Sequence, residues 1–178
     1  MEIVLIRHTP TAAPVGTCYG WLDVPLAASH ASDIAATLAT IARTDQVFSS
    51  PSQRCTALAD ALAQRDASPL ALTPALQELN FGAWEGQLWS DVPRNHSDPW
   101  AEDPWNRAPP GGETEQALWL RVAEWRQQVL EKQSGRIAVV AHAGSLRALR
   151  CLLLGTMPQQ RWSWKIGYGA AEVLLHGS

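Results

Sequence analysis

Two apolar runs constrain what this chain can fold into more than any other feature. Ile3-Val4-Leu5-Ile6 and Ile137-Ala138-Val139-Val140-Ala141 carry no alternation of apolar and polar residues. A strand with one face in water alternates. A continuous run suits a strand buried on both faces, as in a parallel sheet covered by helices on each side. The intervening chain supplies such covers. Residues 29–43 place Ile34, Leu38 and Ile41 at helical spacing, 52–66 form a second Ala/Leu segment, and 113–133 carry Leu118, Val122, Trp125 and Val129 on one face. Short strands are expected at 46–48 and 171–176, an extended piece at 69–76, and a further helix at about 145–154. This alternation predicts a three-layer α/β/α sandwich with a largely parallel central sheet. At 178 residues the chain is read as one domain spanning 1–178. Residues 80–112, rich in Trp and Pro, are read as a lid-like insertion of loops and short helices, with too few periodic apolar positions for a core of its own.

Three of these strands stop on residues of one chemical type. The first ends on Arg7-His8, the second leads through Ser49-Ser50-Pro51 into a helix carrying Arg54 in its first turn, and the later apolar strand ends on His142. In a parallel sheet these ends share one edge, where open α/β folds place their ligand crevices. At that edge His8 is expected to face solvent, and helix N-termini are expected to add N–H donors for an anion. Two arginines and two imidazoles suit a phosphoryl group, whose charge sits on three outer oxygens. They suit a divalent metal badly, because the arginines repel it and no carboxylate joins the cluster. No metal and no cofactor are therefore expected.

Phosphate-ester hydrolysis at such a site needs a nucleophile from the protein, and a neutral histidine serves. The leaving alkoxide then needs a proton. A carboxyl beside a dianionic phosphate is kept protonated by like-charge repulsion, as a general acid requires. Glu78, just before Asn80-Phe81-Gly82, is the candidate, with Glu85, Glu113 and Glu115 as rivals by spacing. A long Pro/Gly/Thr loop over 9–27 brings Tyr19 and Trp21 near the same edge.

Composition narrows the partner classes. A net charge of -3 argues against a nucleic-acid footprint. Two of the 14 basic residues are lysines, Lys132 and Lys165, so the positive charge is mostly arginine, which favours phosphate or carboxylate recognition. Cys18, Cys55 and Cys151 are far apart and read as buried thiols of a reducing compartment. No leader pattern and no apolar run of membrane-spanning length is seen. The expectation is a cytoplasmic protein with a small-molecule phosphate ester as partner, binding neither nucleic acid nor membrane.

Four stretches in order carry a resemblance: Leu5-Ile6-Arg7-His8-Thr9, Ser49-Ser50-Pro51-Ser52-Gln53-Arg54, Leu76-Gln77-Glu78-Leu79-Asn80-Phe81-Gly82-Ala83-Trp84-Glu85-Gly86 and Val140-Ala141-His142-Ala143-Gly144. Together they resemble the histidine phosphatase superfamily, in its phosphoglycerate mutase-like branch, over nearly the whole chain. The resemblance implies a phosphohistidine on His8, phosphoryl contacts from Arg7, Arg54 and His142, and Glu78 as proton donor. Two departures stand out. Thr9 replaces the family glycine, and its hydroxyl is a candidate donor to phosphate. Ala12-Ala13-Pro14-Val15 occupies the region where the family often has a phosphate-binding asparagine, leaving Thr11 or Thr17 as substitutes. The chain lacks the long insertions expected of the family's glycolytic mutases, so phosphotransfer is the lesser enzymatic alternative. A non-catalytic phospho-ligand binder would have lost His8 or Glu78, and both are present.

Overall fold

The computed structural model describes residues 1–177. Five strands form one sheet: β1 (Glu2–Arg7), β2 (Gln46–Ser49), β3 (Leu70–Leu72), β4 (Arg136–Ala141) and β5 (Ala171–Leu175). Their order across the sheet is β3-β2-β4-β1-β5, with the first four parallel and β5 running antiparallel along β1. The two apolar runs lie side by side at the centre, Ile3 against Ile137 and Leu5 against Val139.

The lack of alternation has the expected cause. Ile3, Leu5, Ile137 and Val139 face one helical layer, made by α4 (Glu115–Gln128) and α5 (Ala143–Leu154), through Leu118, Val122, Leu146 and Leu149. Val4, Ile6, Ala138 and Val140 face the other, made by α1 (His30–Thr40) and α2 (Gln53–Asp66), through Ile34 and Leu38 of α1, Leu58 and Leu62 of α2, and Ile41 just after α1. Every residue from Ile3 to Ile6 is fully buried. At about 25 cal/mol per Å² of apolar surface, such two-sided burial is the main stabilising term of the fold.

Two details differ from the periodicity. The helix expected over 113–133 stops at Gln128, and a single 3-10 turn, Leu130–Lys132, carries the chain to β4. The 80–112 segment is made of loops and short helices, as expected: a 3-10 turn (Gly82–Trp84) and α3 (Arg94–Glu102). The periodicity gave no sign of its small aromatic cluster, in which Trp84 and Val92 are buried with Cys18 of the 9–27 loop against Phe81 and Trp100. Trp89 stacks on Trp100 at 5.8 Å, and Phe81 meets Trp89 edge-on at 5.3 Å. Large rings in edge-to-face contact supply here the burial that a helix gains from periodic aliphatics. All three cysteines are buried free thiols. Among the described residues no helix is long and apolar enough to cross a membrane.

Candidate active site

Because β1, β2 and β4 are adjacent and parallel, their carboxyl ends open on one edge, and the residues following them converge there. A cavity at that edge is lined by Arg7, His8, Arg54, Glu78 and His142, together with Tyr19 and Tyr168. The sheet topology thus assembles the residues that the strand ends predicted.

His8 sits at the floor of this cavity and not in solvent. It is only 3% exposed, which corrects the expectation of a solvent-facing side chain. The strand end still points to the crevice, but the 9–27 loop and the Tyr168 loop close over it. The His8 Nδ1 lies 2.8 Å from the Thr9 carbonyl oxygen. A carbonyl only accepts, so Nδ1 carries the hydrogen and Nε2 keeps a free lone pair. Burial, reinforced by the charges of Arg54 and Arg7, pushes the His8 pKa down to about 3, against the opposing effect of the Thr9 bond. The ring is therefore neutral at physiological pH, the state a nucleophile needs.

Arg7 donates through one terminal nitrogen to the Ile166 carbonyl at 2.9 Å, and its guanidinium lies 3.8 Å from the centre of the Tyr168 ring. Its buried Nε has no acceptor among the described residues. Arg54 is 1% exposed. Its Nε donates to His142 Nδ1 at 3.2 Å, and its terminal nitrogens donate to the Leu22 and Gly20 carbonyls. Three of five N–H groups are thus bonded, leaving two for a ligand. With Nδ1 accepting, His142 carries its hydrogen on Nε2, which lies 2.8 Å from the Ser50 hydroxyl. Burial first, and the neighbouring Arg54 charge next, hold the His142 pKa well below its usual value. Two guanidinium groups beside two neutral imidazoles give the cavity its positive potential.

Glu78 is anchored from both sides. One carboxylate oxygen accepts the Leu79 N–H at 3.0 Å and the other the Gly144 N–H at 3.1 Å. Its carbonyl oxygen accepts from Arg121 and from the Trp21 indole. The three rivals are occupied elsewhere. Glu85 binds the N–H groups of Trp21, Leu22 and Phe81, Glu113 pairs with Arg121, and Glu115 pairs with Arg161. Of the four, only Glu78 lines the cavity that holds Arg7, His8 and Arg54.

Other expectations are only partly met. Thr9 is fully buried and does not line the cavity, and its hydroxyl has no partner among the described residues. Its carbonyl orients His8 instead. Thr17 lines the cavity but its hydroxyl donates to Pro14, and the Thr11 hydroxyl bonds to Tyr19. Helix N-terminal donors are partly taken by protein carboxylates: the Gln53 N–H by Asp23 and the Gly144 N–H by Glu78. An anion here would therefore rely chiefly on guanidinium groups.

Sequence reasoning did not find Ser50, Arg121 or Tyr168. Ser50 and Arg121 act through partners distant in sequence. Tyr168 bore one faint signal, a tyrosine between two glycines. The Gly169 N–H reaches the carbonyls of both Arg7 and His8 at 3.1 Å, and this lays the Tyr168 ring beside His8, 5.4 Å between centres.

Known proteins share this arrangement of chain and sheet. The chain is 29% identical over 177 residues to the adenosylcobalamin/alpha-ribazole phosphatase of Escherichia coli strain K12, covering 95% of this chain and 87% of that protein. It is 26% identical over 171 residues to phosphoserine phosphatase 1 of Hydrogenobacter thermophilus, covering 92% and 81%. The crystal structure of the alpha-ribazole phosphatase from Shigella flexneri superposes with a TM-score of 0.89 at 26% identity, over 97% of this chain and 89% of that one. The model of one family matches residues 3–177, nearly the whole chain. The protein belongs to the histidine phosphatase superfamily, branch 1.

Proposed function

We propose that the protein is a metal-independent phosphomonoesterase that hydrolyses a small-molecule phosphate ester through a phosphohistidine on His8. The observation that carries this reading is the His8 hydrogen bond. With Nδ1–H donated to Thr9, the Nε2 lone pair is free beside two guanidinium groups and opposite a carboxyl. Nε2 attacks phosphorus, the P–O bond to the leaving group breaks, and the departing oxygen takes a proton from Glu78. Water then attacks the phosphohistidine, Glu78 takes its proton, and the P–N bond breaks to give phosphate and free His8. Arg7 and Arg54 stabilise the charge on the phosphoryl oxygens, and His142, whose Nδ1 holds Arg54 and whose Nε2 meets Ser50, reaches phosphate only by exchanging its Ser50 bond for one to a phosphoryl oxygen. A proposed substrate is α-ribazole 5′-phosphate, supported by the similarity to alpha-ribazole phosphatases.

An assay after EDTA treatment, on p-nitrophenyl phosphate and α-ribazole 5′-phosphate beside the His8→Asn variant, tests the reading. Turnover that survives chelation and is lost with His8 supports it. Turnover that needs added metal, or that persists without His8, overturns it.

A further inference from the structure

One carboxylate outside the cavity ties two loops together. Glu85 lies just after the Gly82–Trp84 turn, is half-buried, and pairs with no arginine or lysine among the described residues. Three backbone N–H groups hold its charge instead. One oxygen accepts from Phe81 and from Trp21, each at 2.9 Å, and the other accepts from Leu22. Phe81 belongs to the segment that carries Glu78, whereas Trp21 and Leu22 belong to the 9–27 loop. An ionised carboxylate has acceptor sites only, so it takes all three donors, and such charge-assisted bonds are roughly twice as strong as neutral ones.

The Trp21 N–H shares a planar trans peptide unit with the Gly20 carbonyl, and the two point to opposite sides of it. On one side Glu85 takes the N–H. On the other the Gly20 carbonyl accepts from a terminal nitrogen of Arg54. A rigid unit pinned at its N–H has the direction of its carbonyl fixed, and a carboxylate on the N–H polarises that carbonyl into a better acceptor. Leu22 repeats the link: its N–H bonds Glu85, and its carbonyl accepts from the other terminal nitrogen of Arg54 at 3.0 Å.

The two segments are pressed together at this point. A Cβ built on Gly20 would lie 1.7 Å from the Leu79 carbonyl oxygen. The Cys18 N–H donates to the Gln87 carbonyl and the Gly86 N–H to the Cys18 carbonyl, both at 2.8 Å. The Trp21 indole donates to the Glu78 carbonyl at 2.8 Å. Two carbonyls oriented by Glu85 therefore aim the Arg54 guanidinium, and with it the two N–H groups left for a ligand.

We propose that Glu85 is a positioning residue for Arg54, acting through the Gly20–Trp21 peptide unit and Leu22 without lining the cavity itself. The inference rests on the phosphomonoesterase reading for what the free Arg54 N–H groups bind. In Glu85→Gln the side chain keeps its size, but an amide nitrogen replaces one oxygen and meets a backbone N–H donor to donor. The peptide unit turns, and the guanidinium turns with it.

The test joins a double-mutant cycle to spectra. kcat/KM on p-nitrophenyl phosphate is measured for wild type, Glu85→Gln, Arg54→Ala and the double variant. Binding of inorganic phosphate to wild type and Glu85→Gln is followed by titration calorimetry. The Arg54 side-chain N–H signals, from nitrogen-labelled arginine, are assigned by their loss in Arg54→Lys. Glu85→Gln should lower kcat/KM about ten-fold or more, as small misplacements of catalytic groups do, and should weaken phosphate binding. It should also merge the terminal N–H signals of Arg54 through freer rotation about the Cζ–Nη bonds. Once Arg54 is alanine, Glu85→Gln should change kcat/KM by less than about two-fold. Equal losses in both backgrounds, or no loss in either, would overturn the role, because a carboxylate that only braces the loop acts whether or not Arg54 is present. Should Arg54→Ala fail to fold, the spectra decide, and Arg54 signals unchanged in Glu85→Gln would overturn the role. Phosphate binding and Arg54 signals that depend on Glu85, without turnover of any ester, would uphold the positioning role and overturn the phosphatase reading.

Discussion

The Glu78 carboxylate and the Gly144 backbone are in contact: one oxygen accepts the Gly144 N–H at 3.1 Å, and a Cβ built on Gly144 would lie 2.1 Å from the other. The first turn of α5 therefore holds the proposed proton donor only because residue 144 has no side chain. Gly144→Ala should push the carboxyl out of place. The expected loss in kcat is about 10²–10⁴-fold for alkyl phosphates, as for other general acids. It should be much smaller for p-nitrophenyl phosphate, whose leaving group needs little protonation. Equal losses on both substrates would remove Glu78 from the proton-donor role.

His8→Asn should reduce turnover to background and abolish the phosphoenzyme. Rapid quenching into alkali with phosphorus-labelled substrate detects the phosphohistidine in the wild type. The variant should also melt lower, because His8 is buried and its ring bonds the Thr9 carbonyl. A labelled phosphoenzyme in the variant would move the nucleophile to another residue.

Arg54→Ala is expected to cost about 3–4 kcal/mol in transition-state stabilisation, as for other preorganised charged groups. It should also destabilise the fold, since Arg54 bonds the Gly20 and Leu22 carbonyls and so ties the 9–27 loop to α2. Arg54→Lys keeps the charge but not the planar fork, and should recover little of either. The check is kcat/KM beside thermal unfolding. An unchanged kcat/KM would take Arg54 out of the site.

The buried histidines make stability fall in mild acid. His8 has a folded pKa of about 3 against the usual 6.5, and the pKa of His142 is also well below 6.5. The unfolded chain therefore binds more protons below pH 6.5, and stability rises with pH across that interval. Their contribution is fully present above 6.5 and is lost as pH falls toward 3. Each histidine adds a slope of at most about 1.4 kcal/mol per pH unit. Unfolding at pH 7, 6, 5 and 4 (pH values chosen for the experiment) should show this slope, and His8→Asn should reduce it. A flat profile would mean that the rings are hydrated in solution.

Much of this site is legible in the sequence. Arg7 ends β1, and His8, Arg54 and His142 follow strands, and a parallel sheet must bring such ends together. Glu78 was less legible. Spacing left Glu85, Glu113 and Glu115 as rivals, and resemblance decided among them. The structure then placed those three in backbone bonds and ion pairs away from the phosphate cavity. Thr9 went the other way: its hydroxyl looked available, and the fold buries it off the cavity wall.

What the sequence determined by itself is local and periodic: two-sided burial of β1 and β4, the helical covers, and polar residues at strand ends. Those follow from side-chain periodicity and turn chemistry, which act over a few residues. Tertiary structure alone decided which His8 nitrogen is free, which carboxyl faces the phosphate cavity, and that one carboxylate joins two loops far apart in sequence. These depend on hydrogen bonds between residues such as Glu78 and Gly144, or Glu85 and Trp21. Such pairings are set by the packing of whole layers, and no local pattern in the chain encodes them.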